Sequence, residues 1–449
     1  MEHLSPRHPA LAEHLRARYS PEQVQALAEQ LRAFGVFEFH ALPNGLYAAV
    51  HGAGGVEART GYHHTWVRDT VQVASVAWEA GQLGVTQRTA EGLLAWFEAQ
   101  RPRFEACVEG RADLDDKMQR PHIRFDGAQL TEVDEAWPHK QNDALGYALW
   151  FLSRALLAGL LTPDPRHLRT LAMFPSYFAA IRYWQDRDSG HWEETPKVQC
   201  SSVGAVVAGL AAFEKLLSAR KQSLVDSLPE GWSAPDLVAL RARGRVVLDH
   251  MLPWETRGPE AQVGVEREAD AALLFLIHPL RVLDRDSADA VLRNVSDHLV
   301  GPHGIRRYCG DSYWMADYTR LFSEDVRTSG FEDDVGSRDR HLKPGSEAQW
   351  TLFDPLLSTI HGWRYLASGD AEDLNLQRHH LHRALCQVTG PEHALGGGHC
   401  PEAYYLADSA RPDDWVVNDN TPLLWTQALL VQAVLALERS AVRDAASSR

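Results

Sequence analysis

Helical periodicity from end to end is what most restricts this chain. Ser20-Pro21-x-Gln23 has the form of a capping box, and Val24, Leu27, Leu31 and Phe34 follow as one apolar stripe before Gly35. In such a box the serine and glutamine side chains satisfy amide groups that the first helical turn leaves open. After Ser201-Ser202, Val203, Val206, Val207, Leu210, Phe213 and Leu217 mark one face of another helix. Thr421-Pro422 starts a third, in which Leu423, Leu424, Leu430, Val431, Val434 and Leu435 cover most of the circumference and predict burial on nearly all sides. Similar windows fall near 70–84, 86–100, 140–160, 164–184, 233–251, 266–277, 285–300, 346–367 and 371–388. Strand alternation is confined to short pieces near 36–50 and 305–308. A chain of 449 residues exceeds the roughly 250 to 300 at which single cores usually stop growing, yet no Pro/Gly/Ser-rich linker divides it. A single all-α domain is therefore expected.

Composition narrows the function. The net charge of −15 works against nucleic acid or an anionic membrane as partner and favours a neutral ligand. No apolar run of membrane-spanning length is read from the sequence. The start, Met-Glu-His-Leu-Ser-Pro-Arg-His, lacks a basic segment followed by an apolar one, which argues against secretion. Cys107, Cys200, Cys309, Cys386 and Cys400 are odd in number and lack Cys-x-x-Cys spacing. Reduced thiols in the cytoplasm are expected, with no metal and no cofactor.

Five polar-aromatic segments interrupt the helices. Tyr62-His-His-Thr-Trp66-Val-Arg68-Asp69 sets guanidinium donors and carboxylate acceptors beside an apolar ring face, which suits a sugar. Trp137-Pro-His139-Lys-Gln141-Asn-Asp143 precedes an apolar helix, and Asp143 reads either as a ligand contact or as an N-terminal cap. His191-Trp192-Glu193-Glu194 pairs two carboxylates beside an indole; burial and a like charge both raise a carboxyl pKa, as a general acid requires. Arg306-Arg307-Tyr308-Cys309-Gly310-Asp311-Ser312-Tyr313 again joins guanidinium, carboxylate and rings. Gly396-Gly-Gly-His399-Cys400-Pro401-Glu402-Ala403-Tyr404-Tyr405 presents Glu402 on a stiffened turn and lacks the Lys-Ser/Thr of a phosphate loop. Two carboxylic acids far apart in sequence, each beside aromatic rings, is the layout of glycoside hydrolysis. His63-His64 lacks the companions that a catalytic zinc site needs.

Together these segments resemble glycoside hydrolase family 15, the glucoamylases, and above all its branch containing the amino-terminal domain of the phosphorylase kinase α and β subunits. The glucoamylase pattern Tyr-x-x-Thr-Trp-x-Arg-Asp is met by Tyr62, Thr65, Trp66, Arg68 and Asp69. Trp137, Gln141 and Asp143 meet Trp-x-x-x-Gln-x-Asp; Trp192, Glu193 and Glu194 meet Trp-Glu-Glu; Arg307, Tyr308, Asp311 and Tyr313 meet Arg-Tyr-x-x-Asp-x-Tyr. His122-Ile-Arg-Phe125, Pro401-Glu402-x-Tyr404-Tyr405 and Asn420-Thr-Pro-Leu-Leu-Trp425-x-Gln427 are similar to the kinase-subunit branch.

The resemblance implies an (α/α)6 barrel over residues 36–438, with a helical extension over 1–35 and a frayed tail over 439–449. It implies inversion at the anomeric carbon, with Glu193 as proton donor and Glu402 as base, their carboxyls roughly 6.5–9.5 Å apart. Arg68 and Asp69 would bind the terminal glucose, bordered by Tyr62 and Trp137, with Arg307 at the next unit. Trp66, His139, Gln141, Asp143, Trp192, Glu194 and Asp311 complete the expected substrate-binding set. The family's arginine two residues after the second-motif tryptophan is His139 here, as in the kinase-like branch. Residues 319–345 read as a long exposed insert, either a lid or a solvated excursion. Without a starch-binding module, a short oligosaccharide is the expected substrate. The rival expectation is a sugar-sensing domain that keeps the cleft without turnover.

Overall fold

The computed structural model describes residues 5–50, 61–162, 164–219, 236–258, 266–324, 326–327 and 335–447. Val67–Glu79, Asn142–Leu157, Cys200–Ala219, Leu274–Ile277, Phe353–Ser368 and Leu424–Ser447 pack successively into an inner ring, closed by the last helix on the first. Leu83–Ala99, Pro165–Ala180, Leu237–Met251, Arg285–His298 and Ala371–Gln387 each return the chain on the outside, and Pro21–Ala33 packs outside Leu424–Ser447. The fold is an (α/α)6 barrel. Because an outer helix lies between each inner helix and the next, the inner helices share one direction, and their N-termini open at one rim.

Local chemistry accounts for these elements. Ser20 and Gln23 form the reciprocal capping box, and Asp164, Asp236, Asp284 and Asp370 each accept an amide of the first turn of their helix. The Asn142–Leu157 helix is buried almost all round because it stands in the inner ring. Its closest approach is to Cys200–Ala219, where a Cβ at Gly146 would lie 2.5 Å from the Ala205 carbonyl carbon. Gly146→Ala is expected to destabilise the fold by about 2 kcal/mol, since overpacking against rigid backbone outweighs the helix-propensity gain of about 1 kcal/mol. A lowered urea midpoint at unchanged m-value checks it.

Several sequence expectations change. Cys200–Ala219 is long and apolar enough to cross a membrane by length and composition, contrary to the reading above, but 72% of its apolar window is buried inside the barrel. The Pro21–Ala33 helix, expected as an extension, belongs to the outer layer. The final helix runs to Ser447, past the expected fray: Ser440 and Ala441 are buried, and Arg443 donates to the carbonyls of Tyr365 and Leu366. The helix expected from 346 starts at Phe353, because Gln349–Trp350 pairs with Ala403–Leu406, which pairs in turn with Trp415–Val417 in an antiparallel sheet. The 266–277 window holds only a 3-10 turn, Ala271–Leu273, and the short Leu274–Ile277 helix. Of the expected loop 319–345, residues 325 and 328–334 lie outside the described residues. The rest is tied to the fold: Tyr318 donates to the Arg327 carbonyl, and buried Arg338 donates to Ser312 and lies over the Tyr313 ring.

Candidate active site

The rim holding the inner-helix N-termini carries the polar-aromatic segments. Thr65–Trp66 pairs antiparallel with Arg124–Phe125, setting Trp66 opposite Arg124. The Arg124 guanidinium lies 3.8 Å over the Trp137 ring and 5.1 Å over Trp66, while Nη1 donates to Glu135 at 2.8 Å. Tyr62, Trp66 and Trp137 thus form a continuous wall, with ring centroids 5.4 and 5.9 Å apart along it. Such a wall offers the apolar face of a sugar ring a matching surface.

Glu193 faces this wall. Trp66 Nε1 and Gln141 Nε2 donate to its Oε1 at 2.9 and 3.1 Å, with Arg68 Nη2 at 3.6 Å. Its side chain keeps 20% of its surface open to the cleft. The backbone there is left-handed, φ 57° and ψ 46°, a strain of about 1–3 kcal/mol that tends to persist where function demands an orientation. This turn sends the two neighbouring carboxylates to different partners. Glu194 is buried and accepts from Tyr308, from Arg267 at 2.8 Å and from Lys197 at 3.3 Å. Burial alone would raise its carboxyl, but Arg267, Lys197 and Arg307 outweigh it and hold Glu194 well below the usual range. The expectation that the pair would raise one another therefore fails for Glu194: it is a permanent anion in an ion cluster, behind the cleft rather than a sugar contact. Arg267 also binds Asp270 at 2.8 Å, and Asp270 accepts from Trp192 Nε1 at 2.9 Å.

Arg68 is committed to the protein as well. Its Nη1 donates to Asp143 at 2.6 Å and to Gln141 at 3.0 Å. Asp143, 0% exposed, has His191 Nδ1 3.5 Å away. Asp143 is therefore an ion-pair partner and not a helix cap. Asp69, one residue on, differs: it is only partly buried. Burial of the site pushes its carboxyl up to about 6 despite Arg68 beside it. His139 lies behind the wall, stacked on His122 at 3.7 Å, with Nδ1 accepting from the Ile123 amide. Burial, then His122 and nearby cations, holds it well below its ordinary value and thus neutral. It braces the wall instead of reaching a ligand.

The opposite side of the cleft carries Glu402, 2% exposed, directly before the central strand of the three-stranded sheet. The hairpin from Ala403 to Val417 brings Asn418 and Asn420 back beside it; both donate to Oε2, Asn420 at 2.8 Å. Tyr62 donates to Oε1 at 2.9 Å. Burial pushes Glu402 up to about 7, against these three donors, which favour the carboxylate. Tyr313 closes the ring, accepting from Asn420 at 3.1 Å and lying 3.3 Å from the Tyr62 hydroxyl. Arg307 is clamped by fully buried Asp311 through two bonds of 2.6 and 2.7 Å, and its guanidinium lies among the rings of Trp192, Trp350 and Tyr313. Asp311 thus fixes Arg307 and has no surface for a sugar.

Tyr62, Trp66, Asp69, Trp137, Glu193, Glu402 and Arg307 gather around one cleft, whereas His139, Asp143, Glu194 and Asp311 stand behind it as supports. Asn418, Trp350, Arg267, Lys197 and Asp270 were not singled out from sequence, and Asn420 and Arg124 entered only as members of motifs similar to the kinase-subunit branch. The Asn418-x-Asn420 spacing that follows Glu402 was a usable signal for the amides that hold it. Among the described residues no three His, Cys, Asp or Glu side chains group as a metal site.

A family model described as Glycosyl hydrolases family 15 matches residues 38–360, a span that contains Glu193 and ends before Glu402. A Caenorhabditis elegans protein described as a probable phosphorylase b kinase regulatory subunit alpha is 25% identical over 418 residues, covering 84% of this chain and 31% of that protein. The chain thus spans about a third of that relative's length. A glycosidase variant in complex with glucose shares the fold with TM-score 0.65 at 19% identity, over 93% of this chain and 99% of its own. Saccharomycopsis fibuligera glucoamylase follows the same architecture, with TM-score 0.58 at 11% identity, over 94% of this chain and 97% of its own.

Proposed function

Because the chain belongs to glycosyl hydrolase family 15, we propose that it is an exo-acting, inverting α-glucosidase releasing glucose from the non-reducing end of short α-glucosides. One observation supports this reading: an unbroken path of contacts runs from Glu193 through Trp66 and Tyr62 to Glu402. In the proposed reaction Glu193 gives its proton to the glycosidic oxygen as the bond to the anomeric carbon breaks. The Glu402 carboxylate takes a proton from a water whose oxygen attacks that carbon from the opposite face. Solvent then restores both groups. Inversion asks for carboxyls roughly 6.5–9.5 Å apart, leaving room for the water. Asp69, partly exposed beside Arg68, is suited to the hydroxyls of the terminal glucose.

Glucose release from maltose, isomaltose, trehalose and longer maltodextrins tests the proposal, with the first anomer formed read by proton NMR. Initial β-glucose supports inversion, and initial α-glucose refutes it. The proposed setting is the cytoplasm, supported by five free cysteines, with a neutral sugar as the partner and neither nucleic acid nor membrane. The second reading, a sugar-sensing regulatory domain, is favoured by the kinase regulatory subunit among its relatives. Saturable glucose or maltose binding without turnover on every linkage would select it.

The base must be ionised to act, so its raised value sets the acid limb. Below about pH 7, kcat/KM is expected to fall about tenfold per unit. Tyr62→Phe removes a donor to the carboxylate and should move that limb to higher pH. A profile flat down to about pH 5 would contradict the assignment of Glu402 as base.

A further inference from the structure

The barrel has a second mouth, where the inner helices end. Asp69 and Asp143 mark the cleft end of the barrel, in the first turns of their helices, and Arg154 lies 11 residues beyond Asp143 on the same one, about 16 Å further along the axis. Here a cavity of about 560 Å³ is lined by Trp78, Trp150 and Trp363 together with Arg154, Arg281 and Arg439. Nothing in the proposed reaction uses it.

These arginines contrast with those of the cleft. Arg68, Arg267 and Arg307 are each bound to carboxylates. Arg154 and Arg281 donate no hydrogen bond to another described residue, and Arg439 reaches only Glu79, at 3.8 Å. Their planar faces are nonetheless held: Arg154 lies 4.3 Å over Trp150, Arg281 4.5 Å over Trp363, and Arg439 5.3 Å over the same indole. Stacking fixes a guanidinium while leaving its N–H edge available for a planar or tetrahedral anion. Arg281 is further fixed by left-handed backbone, φ 55°, which side-chain-bearing residues seldom adopt.

The wall also contains a buried donor or acceptor without a partner. His278 is 4% exposed and lines the cavity, and its Nε2 makes no hydrogen bond. Three guanidiniums face one carboxylate, Glu79, leaving an excess of two positive charges. A phosphate monoester carries about −1.5 to −2 at neutral pH. The volume falls in the range of about 300–1,000 Å³ typical of small-molecule sites and exceeds what an inorganic anion fills.

We propose that this second mouth binds a small organic phosphate monoester, its phosphate on the Arg154, Arg281 and Arg439 forks and its body against the three indoles. The site is separate from the hydrolytic cleft and does not rest on the function proposed for it.

Isothermal titration of the full chain with phenyl phosphate tests the proposal, with inorganic phosphate, phenol and sodium chloride of matched ionic strength as controls. Phenyl phosphate should bind saturably at one site below about 1 mM, inorganic phosphate about tenfold more weakly, and phenol not at all. Arg154→Gln and Arg281→Gln, both at exposed guanidiniums, should each weaken phenyl phosphate about tenfold. Glu193→Gln should leave its affinity unchanged. No saturable binding up to about 10 mM would overturn the proposal. So would binding that survives both arginine changes or is lost in Glu193→Gln. Should either variant fail to fold, the other decides by the same criterion.

Discussion

Glu402→Gln is expected to lower kcat/KM roughly 10³-fold while leaving the protein no less stable at neutral pH. The amide fits the same hydrogen bonds: its oxygen accepts from Asn418 and Asn420, and its NH2 donates to the Tyr62 hydroxyl, which turns to accept. What it cannot do is take a proton from water. Stability should separate from activity through pH. The folded protein holds Glu402 up to about 7 from an ordinary 4.5. The sign follows: a raised carboxyl is favoured in its neutral form, so the parent loses stability as pH climbs from the unfolded value through the folded one. The full loss is on the order of 3 kcal/mol, at about 1.4 kcal/mol per pKa unit. The variant lacks this loss. Its urea midpoint should exceed that of the parent at about pH 8 and converge with it at about pH 4.5. Glu193→Gln should be as damaging on ordinary glucosides yet retain turnover of α-glucosyl fluoride, whose leaving group needs no proton. Glu402→Gln should not. Equal responses of the two variants to the fluoride would refute the division of roles.

The second large effect concerns Arg68. Its guanidinium is the main counter-charge of Asp143, which is wholly buried. Arg68→Met leaves that carboxylate uncompensated, and a cost of about 3–5 kcal/mol in unfolding free energy is expected. Asp143→Asn in the same chain should recover much of it, because the pair is then replaced by neutral groups. The acid response gives an independent check. Burial raises Asp143, but Arg68, His191 and the Ala144 amide together outweigh it and hold the carboxyl below its ordinary value. Its contribution is therefore present above the unfolded carboxyl value and lost as pH falls, and that part of the acid sensitivity should vanish in the double variant. A double-mutant cycle with no coupling would show that the close contact carries little energy.

Much of this was legible because the relevant signals are local. Ser20 and Gln23 announce a helix start within four residues, and the stripe after Ser201-Ser202 needs only its own spacing. The residues that support the cleft were harder to sort from those that line it. Asp143 and Asp311 sit in motifs beside Arg and aromatic residues, yet each is consumed by an arginine. Sequence shows which residue types are near one another, but not which lone pairs are already spent. Glu193 and Glu194 diverge because of one left-handed residue, a backbone state that glutamate does not advertise. The sheet that carries Glu402 has strands of two to four residues, too short for alternation to register. Arg267 and Lys197 gain their role only through burial against Glu194, which no local pattern signals.

Closure of the inner ring by Leu424–Ser447 against Val67–Glu79, with Pro21–Ala33 laid outside, has a consequence for how the protein is made. Pro21–Ala33 docks on Leu424–Ser447, so these long-range contacts wait until residues 424–447 have been made. Until then the apolar flank of Val67–Glu79 has no neighbour, and chain entropy opposes early closure. Nascent chains stopped short of residue 424 should lean on chaperones or aggregate, and cooperative stability should arrive only once residues 424–447 have been made.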